Sequence, residues 1–380
     1  MKYCLLIHSL ACGGAERCVA TLASHWAATG RTVTVITQAA AALDFYALHP
    51  AVRRVALGLD QPSANAVQAV RHNIGRVRAL RRVLRQEAPD VAVGVMTASN
   101  CLLALAAKGL PCIAVGAEEY PPQMFRQGRI WETLRTMLYP RLDAVISHAA
   151  PCAAWLQRHA GVRRAPVIAN PISWPLPAQP PQLDPAPATP GQRTVLAVGR
   201  LAVEKGFDRL LDAFAPLARR HPGWRLAILG EGPERAALET RRARLGLADR
   251  VLLPGVAGNI GDWYAAADLF VLTSRYEGFG NTLAEALTYG VPVVSVDCEA
   301  GPREILRHDV DGLLVPQDDA PALIAALDRM MADDALRRAC AVRAVEARDR
   351  FAPARIAAQW EALFVELGMP GAGTTEAGPS

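Results

Sequence analysis

Leu269-Phe-Val-Leu-Thr-Ser-Arg-Tyr-Glu277-Gly-Phe-Gly-Asn-Thr-Leu-Ala-Glu285 joins a short apolar run to a glycine pair and then to a helical pattern. The run reads as a buried strand, and the glycines mark a tight turn before a helix that starts near Asn281 or Thr282. Exposed N–H groups in the first turn of such a helix, with its dipole behind them, favour an anion. Glycine lets that anion approach the backbone closely. Glu277 sits in the loop and Glu285 one turn into the helix, so neither would touch a bound diphosphate directly. Thr282 with Glu285 three residues on also spells a capping box, which would account for this acid without a ligand.

A second strand end of the same kind lies upstream. Val195-Leu-Ala-Val-Gly199 leads into Arg200-Leu-Ala-Val-Glu-Lys205-Gly206 and a helical pattern from Phe207. Arg binds phosphate bidentately and Lys binds it as a point charge, so the pair suits a nucleoside diphosphate; as solvated surface charges they would need no partner. A third pair of glycines, Gly13 and Gly14, follows the first strand. It lacks the full Gly-x-Gly-x-x-Gly spacing, and no acid closely follows the second strand at Thr37, which argues against NAD.

Extended outward, this alternation covers the chain. Strands are expected at Tyr3–His8, Thr32–Thr37, Val91–Val95, Cys112–Val115, Ala144–Ser147 and Val167–Ala169, then at Thr194–Val198, Arg225–Leu229, Val251–Pro254, Leu269–Thr273, Val293–Val296 and Leu313–Val315. Helical patterns separate them, the signature of βαβ units and parallel sheets. With 380 residues, two domains are expected. The stretch from Pro171 to Pro190 carries eight prolines in twenty positions and breaks any helix or central strand. The organisation expected is therefore an α/β protein of two doubly wound, Rossmann-like parallel-sheet domains facing a central cleft. The domains are 1–170 and 194–367, with a Pro-rich linker at 171–193 and a disordered tail at 368–380. The last helix is able to pack back on the first domain.

The net charge of +5 is unevenly spread. Residues 1–170 hold 19 Lys and Arg against 9 Asp and Glu, and the remainder hold 22 against 27. A basic first half attracts phosphorylated small molecules, anionic lipid or nucleic acid, and charge alone does not choose among them. No stretch approaches the roughly 18 apolar residues of a membrane-spanning helix, and the apolar run at the N-terminus is too short for a signal peptide, so a cytoplasmic protein is expected. The 8 cysteines form no Cys-x-x-Cys pair and read as buried free thiols. Asp309-Val-Asp311 reads as a turn rather than a metal site. In the segment Arg71–Arg85, Ile74, Val77, Leu80, Val83 and Leu84 share one helical stripe, with Arg76, Arg78, Arg82 and Arg85 elsewhere. That stripe either packs on its own domain or lies on an anionic membrane surface; Arg126–Tyr139 supplies further cations and aromatics for the second option.

Gly199-Arg200-Leu201 with Glu204-Lys205-Gly206, Gly230-Glu-Gly-Pro233, Ser274–Gly280 with Glu285, and Gly290-Val-Pro-Val-Val294 together resemble the family-4 retaining glycosyltransferases. The likeness is specific over about 194–315 and rests before that on Gly13-Gly-Ala-Glu16 and Asn170-Pro171. It implies the B-type two-domain fold, a donor held mainly by the second domain, an acceptor held by the first, retention of anomeric configuration and no bound metal or other cofactor. Carried onto this chain, Arg200 and Lys205 bind the donor diphosphate and Glu277 the transferred sugar. Gly278, Phe279, Gly280, Asn281 and Thr282 meet the phosphates and sugar through their backbone, Glu285 holds the ribose, and Gly13 and Gly14 border the donor. The run Ser295–Glu304 is similar to the subset that transfers hexoses or N-acetylhexosamines to lipid-diphosphate-linked acceptors.

The partners implied are a nucleotide-sugar, most simply a UDP-sugar, a lipid-linked or saccharide acceptor, and an anionic membrane at which the protein sits peripherally; nucleic acid is not among them. Many relatives carry a histidine after a first-domain strand, where this chain reads Val115-Gly-Ala-Glu118-Glu119-Tyr120. Glu118 or Glu119 either stabilises positive charge on the sugar or is a solvated loop acid. A sugar-nucleotide epimerase on the same fold and a non-catalytic saccharide- or nucleotide-binding module are the alternative readings.

Overall fold

The computed structural model describes residues 1–61, 64–124, 128–186 and 191–370. The chain divides into two compact units, Met1–Pro171 joined by the residues from Pro353 on, and Ile172–Ala352.

The first unit holds a six-stranded sheet of β1 (Lys2–Ile7), β2 (Thr32–Thr37), β3 (Arg53–Ala56), β4 (Val91–Val95), β5 (Ile113–Ala117) and β6 (Ala144–Ile146), in the order β3-β2-β1-β4-β5-β6. All neighbours are parallel, with Lys2 opposite Thr32 and Tyr3 opposite Val91. Parallel sheets are covered on both faces, which is why these strands read as unbroken apolar runs. Alternate residues of β1 show it: Tyr3, Leu5 and Ile7 enter one buried cluster, Cys4 and Leu6 another.

The second unit repeats the plan with β7 (Arg193–Val198), β8 (Trp224–Leu229), β9 (Val251–Gly255), β10 (Leu269–Leu272), β11 (Val293–Asp297) and β12 (Gly312–Pro316), in the order β12-β11-β10-β7-β8-β9. Both sheets thus have the 3-2-1-4-5-6 order of a doubly wound fold, which reverses direction between its first and fourth strands.

All six strands expected in the second unit are present. In the first, β3 replaces the strand expected at Val167–Ala169, where only an isolated bridge joins Ser147 to Val167. The reason is local: β3 is a four-residue edge strand opening with Arg53 and Arg54, which gives no apolar run to recognise.

Among its described residues the Pro-rich stretch contains no regular element, and its first part lies along the second unit. Gln179 and Leu183 bond to Gly258 and Asn259, and the carbonyls of Pro185 and Ala186 accept from Arg225. Positions 187–190, like the tail at 371–380, lie outside the described residues. The helix Pro353–Glu366 belongs to the first unit, where Ile356, Trp360, Leu363 and Phe364 join the core. Trp360 meets Trp26 edge-on at 6.4 Å and Phe364 meets Tyr3 at 5.5 Å, while Arg31 forks onto the Glu361 carboxylate at 3.0 Å from each nitrogen. Six of the cysteines are buried and in no disulfide, and Cys12 is exposed. No described helix is long and apolar enough to cross a membrane.

Candidate active site

Ligands of doubly wound sheets bind at the carboxyl ends of the strands that flank the reversal. In the second unit those strands are β7 and β10, and their following loops carry the residues singled out in the sequence. After β7 come Gly199, Arg200 and a short 3₁₀ turn, Val203–Lys205, closed by Gly206 at φ +64° before the helix Phe207–Arg220. A Cβ on Gly206 would stand 2.1 Å from the Thr273 carbonyl, so this position needs glycine both for its left-handed backbone and for the close approach of the two loops. Thr273 completes the join by donating to the carbonyls of Lys205 and Gly206.

That join brings Lys205 to Glu277. The Lys205 ammonium lies 2.6 Å from Glu277 Oε1, which also accepts from the Ser274 hydroxyl at 2.7 Å. Glu277 is only 8% exposed, so its charge is held by these two donors rather than by water. Arg200 is arranged differently: its side chain is 68% exposed and only loosely paired, 3.6 Å from Glu204. The two cations do not form a closed clamp; Lys205 is engaged with the acid and Arg200 stands open to solvent.

After β10, Gly278, Phe279 and Gly280 lead into the helix Asn281–Thr288, which also carries Thr282. Gly280 is the N-cap at φ +103°, with no side-chain cap. The capping-box alternative is therefore not realised. Glu285 points elsewhere: it is 2% exposed and accepts the Tyr264 hydroxyl at 2.9 Å. Phe279 is buried edge-on against Phe351, and Gly301 at φ +97° tucks beneath it, where a Cβ would be 2.2 Å from the Phe279 carbonyl. The buried Cys298 thiol nearby is pushed up to about 12 by burial and the charge of Glu277. Asp311 is fully buried and takes two bonds from Arg307, its backbone N–H and its guanidinium, as a structural turn acid.

In the first unit, Gly13 caps the helix Gly14–Ala28 in extended conformation, φ −151°. The Glu16 carboxylate folds back onto it, and a Cβ on Gly13 would lie 2.1 Å from Oε2. The space in front of Gly13 is thus taken by the chain's own acid. Burial, with the charge of Glu119 adding to it, raises the Glu16 pKa.

Glu118, at the end of β5, is 4% exposed, and its two oxygens accept from Thr97 at 2.6 Å and from Tyr139, with Arg135 at 3.8 Å. Asn100 also bonds to Tyr139. Burial pushes the Glu118 carboxyl up against the pull of Arg135, Thr97 and Tyr139. Both Glu118 oxygens are thus engaged within the first unit, by Thr97 on one side and Tyr139 on the other.

The next residue, Glu119, takes the other direction. Its carboxylate lies 3.3 Å from His148 Nε2, and Asn170 reaches it at 3.4 Å. His148 Nδ1 is 2.8 Å from the Ile168 carbonyl, which assigns the proton to that nitrogen. Burial opposes both charges, yet the pairing outweighs it: His148 is held above the ordinary imidazole value and Glu119 below the usual carboxylate range. Sequence reasoning did not single out His148; the available signal was a histidine directly after the strand at 144–147.

Two six-stranded doubly wound sheets, the second with a lysine–glutamate pair beside a glycine-capped helix at its reversal, match the architecture that the resemblance to B-type glycosyltransferases implies. Within that class the chain belongs to glycosyltransferase family 4. Residues 12–173 match the family described as Glycosyltransferase Family 4, and residues 182–346 match Glycosyl transferases group 1.

Among curated relatives, an exopolysaccharide phosphotransferase of Streptomyces coelicolor is 36% identical over 76% of this chain, but the match spans only 30% of that longer protein. An alpha-1,4-N-acetyl-D-galactosaminyltransferase of Campylobacter jejuni, whose acceptor is a diphosphoundecaprenol-linked saccharide, is 26% identical over 97% of this chain and 99% of its own. Anabaena HepE, solved with UDP and glucose, shares the fold with a TM-score of 0.76 and 22% identity over 96% of this chain and 100% of that one.

Proposed function

We propose that this chain transfers a hexosyl or N-acetylhexosaminyl group from a UDP-sugar to a hydroxyl of a lipid-linked or saccharide acceptor, with retention and without a metal. The observation that carries the reading is the Lys205–Glu277 pair at the reversal of the second sheet. An arriving diphosphate competes for Lys205 and leaves the Glu277 carboxylate to the sugar hydroxyls, while the exposed Arg200 folds onto the phosphates from outside. The preformed N-terminus at Asn281 and Thr282 adds backbone donors, and in this reading Glu285, one turn further in, leaves its bond with Tyr264 to take the ribose. Arg200 and Lys205 then neutralise the departing diphosphate, the task a divalent cation performs elsewhere.

Mass spectrometry of products from UDP-glucose, UDP-galactose, UDP-N-acetylglucosamine and UDP-N-acetylgalactosamine with an undecaprenyl-diphosphate-linked saccharide tests the reading. Chelator leaves the rate unchanged if no metal takes part. Arg200→Ala and Lys205→Ala each lower turnover about 10²- to 10³-fold. Near-wild-type turnover in a folded Arg200→Ala protein rejects the assignment. An epimer accumulating without acceptor would identify the alternative enzyme.

A lipid-linked acceptor calls for a membrane surface, and the helix Ala66–Glu87 supplies one. Leu80 and Leu84 pack into the first unit with Val77 and Val83 beside them, so that part of the stripe serves its own domain. The outward face carries Val67, Val70 and Ile74, exposed by 71%, 58% and 45%, followed by the exposed Arg71, Arg78, Arg82 and Arg85. We infer that this face lies on anionic lipid. Arg76 is outside it, bonded to the Leu59 carbonyl and Asn73.

A further inference from the structure

The carboxyl end of the first sheet gathers more titratable groups than a scaffold needs. Glu16 comes from the helix after β1, Glu118 and Glu119 from the end of β5, His148 from the end of β6, and Arg135 reaches the group through Glu118. Glu118 is spent on Thr97, Tyr139 and Arg135. Glu16 is spent on the turn at Gly13.

Glu119 is built in another way. Its side chain is 9% exposed, its orientation is fixed by His148 and Asn170, and His148 is itself fixed by the Ile168 carbonyl. Its Oε1 faces the charged, fully oriented His148 at 3.3 Å and its Oε2 is reached only at 3.4 Å by Asn170, an arrangement that resembles the way a catalytic imidazole is held by its own carboxylate, with the roles exchanged.

We propose that Glu119 is the carboxylate that receives the hydrogen bond of the acceptor's attacking hydroxyl, and that His148 is its positioning residue. This rests on the glycosyl-transfer reading above. Glu119 keeps its charge throughout, because a carboxyl held below its usual range is a poor base. The hydroxyl proton passes instead to the departing diphosphate oxygen as that oxygen's bond to the anomeric carbon breaks and the bond to the acceptor oxygen forms. An uncharged hydroxyl suits a site edged by Glu16 and Glu119, whereas the diphosphate of a lipid carrier would be repelled from it; the sugar end of the acceptor is therefore the end bound here.

The test uses full-length protein and whichever donor and undecaprenyl-diphosphate-linked saccharide wild type couples in the screen. Glu119→Gln lowers kcat/KM for the acceptor about 10²-fold, while affinity for UDP by calorimetry is unchanged. His148→Gln, which keeps a donor facing Glu119 but cannot titrate, loses less and flattens the alkaline limb of the pH profile. In wild type that limb falls as pH rises through the elevated His148 pKa.

An acceptor kcat/KM within threefold of wild type in folded Glu119→Gln, or an unaltered alkaline limb in His148→Gln, overturns the proposal. If neither variant folds, the ¹⁵N signals of the His148 ring in wild type decide: addition of the acceptor saccharide shifts them if the proposal holds, and leaves them in place if it does not. A wild type that couples none of the pairs would overturn the transfer reading itself, and this inference with it.

Discussion

Glu277 and Glu285 occupy one loop and the helix it opens, yet their surroundings give them different work. Glu277 shares one oxygen between Lys205 and Ser274, and Glu277→Gln keeps an oxygen that both donors can still use. This substitution is expected to change unfolding free energy by less than about 1 kcal/mol in urea titration while lowering turnover, because only the charge is lost. Glu285 is buried under Tyr264, so Glu285→Ala removes a buried hydrogen bond at a cost of about 1–3 kcal/mol and weakens UDP binding as well. Equal destabilisation by the two would contradict this division.

Of this site, the residue types and their loops were legible in the sequence, because Gly199–Gly206 and Thr273–Gly280 each follow an apolar strand. The Lys205–Glu277 contact was not, since it depends on β7 and β10 becoming neighbours across the reversal. His148 escaped for the same reason: its partner Glu119 ends the adjoining strand, and adjacency of β5 with β6 is a tertiary fact. Glu118 and Glu119 were indistinguishable as letters; only their folded neighbours, Thr97 and Tyr139 for the first and His148 and Asn170 for the second, tell them apart.

At the scale of elements, strands buried on both faces announced themselves as Val- and Leu-rich runs, whereas β3, with Arg53 and Arg54, did not. The helix Ala66–Glu87 shows how a periodic stripe divides between two uses. Its C-terminal half is fixed by Leu80 and Leu84 in the core, and its N-terminal half presents Val67, Val70 and Ile74 outward. Reversing Arg71, Arg78, Arg82 and Arg85 to Glu is expected to lower flotation with anionic vesicles by at least about a hundredfold, each arginine contributing roughly 1 kcal/mol near the surface. Neutral vesicles should show little difference, and equal recovery on anionic ones would count against the helix.

For the whole molecule, two α/β domains were readable from the repeat of strand and helix, while the packing of residues 353–366 on the first unit was readable only as one of two options. A helix carries no mark of which core its apolar face will meet; Trp360 and Phe364 suit either until Tyr3 and Trp26 are in place. Trp360→Ala is expected to destabilise the first unit by about 3–5 kcal/mol. Hydrogen exchange should show β1 and β2 losing protection while β7 and β10 keep theirs; uniform loss in both sheets would refute a helix serving one unit.

The path of that helix also sets an order of events during synthesis. A ribosome must deliver all of Ile172–Ala352 before Pro353–Glu366 emerges, so the second sheet has every strand available while the first still lacks the cover for Trp26. Domains on nascent chains generally mature from the N-terminal end. Here the earlier of the two units is completed after the later one, and Trp26 waits for Trp360 through the interval.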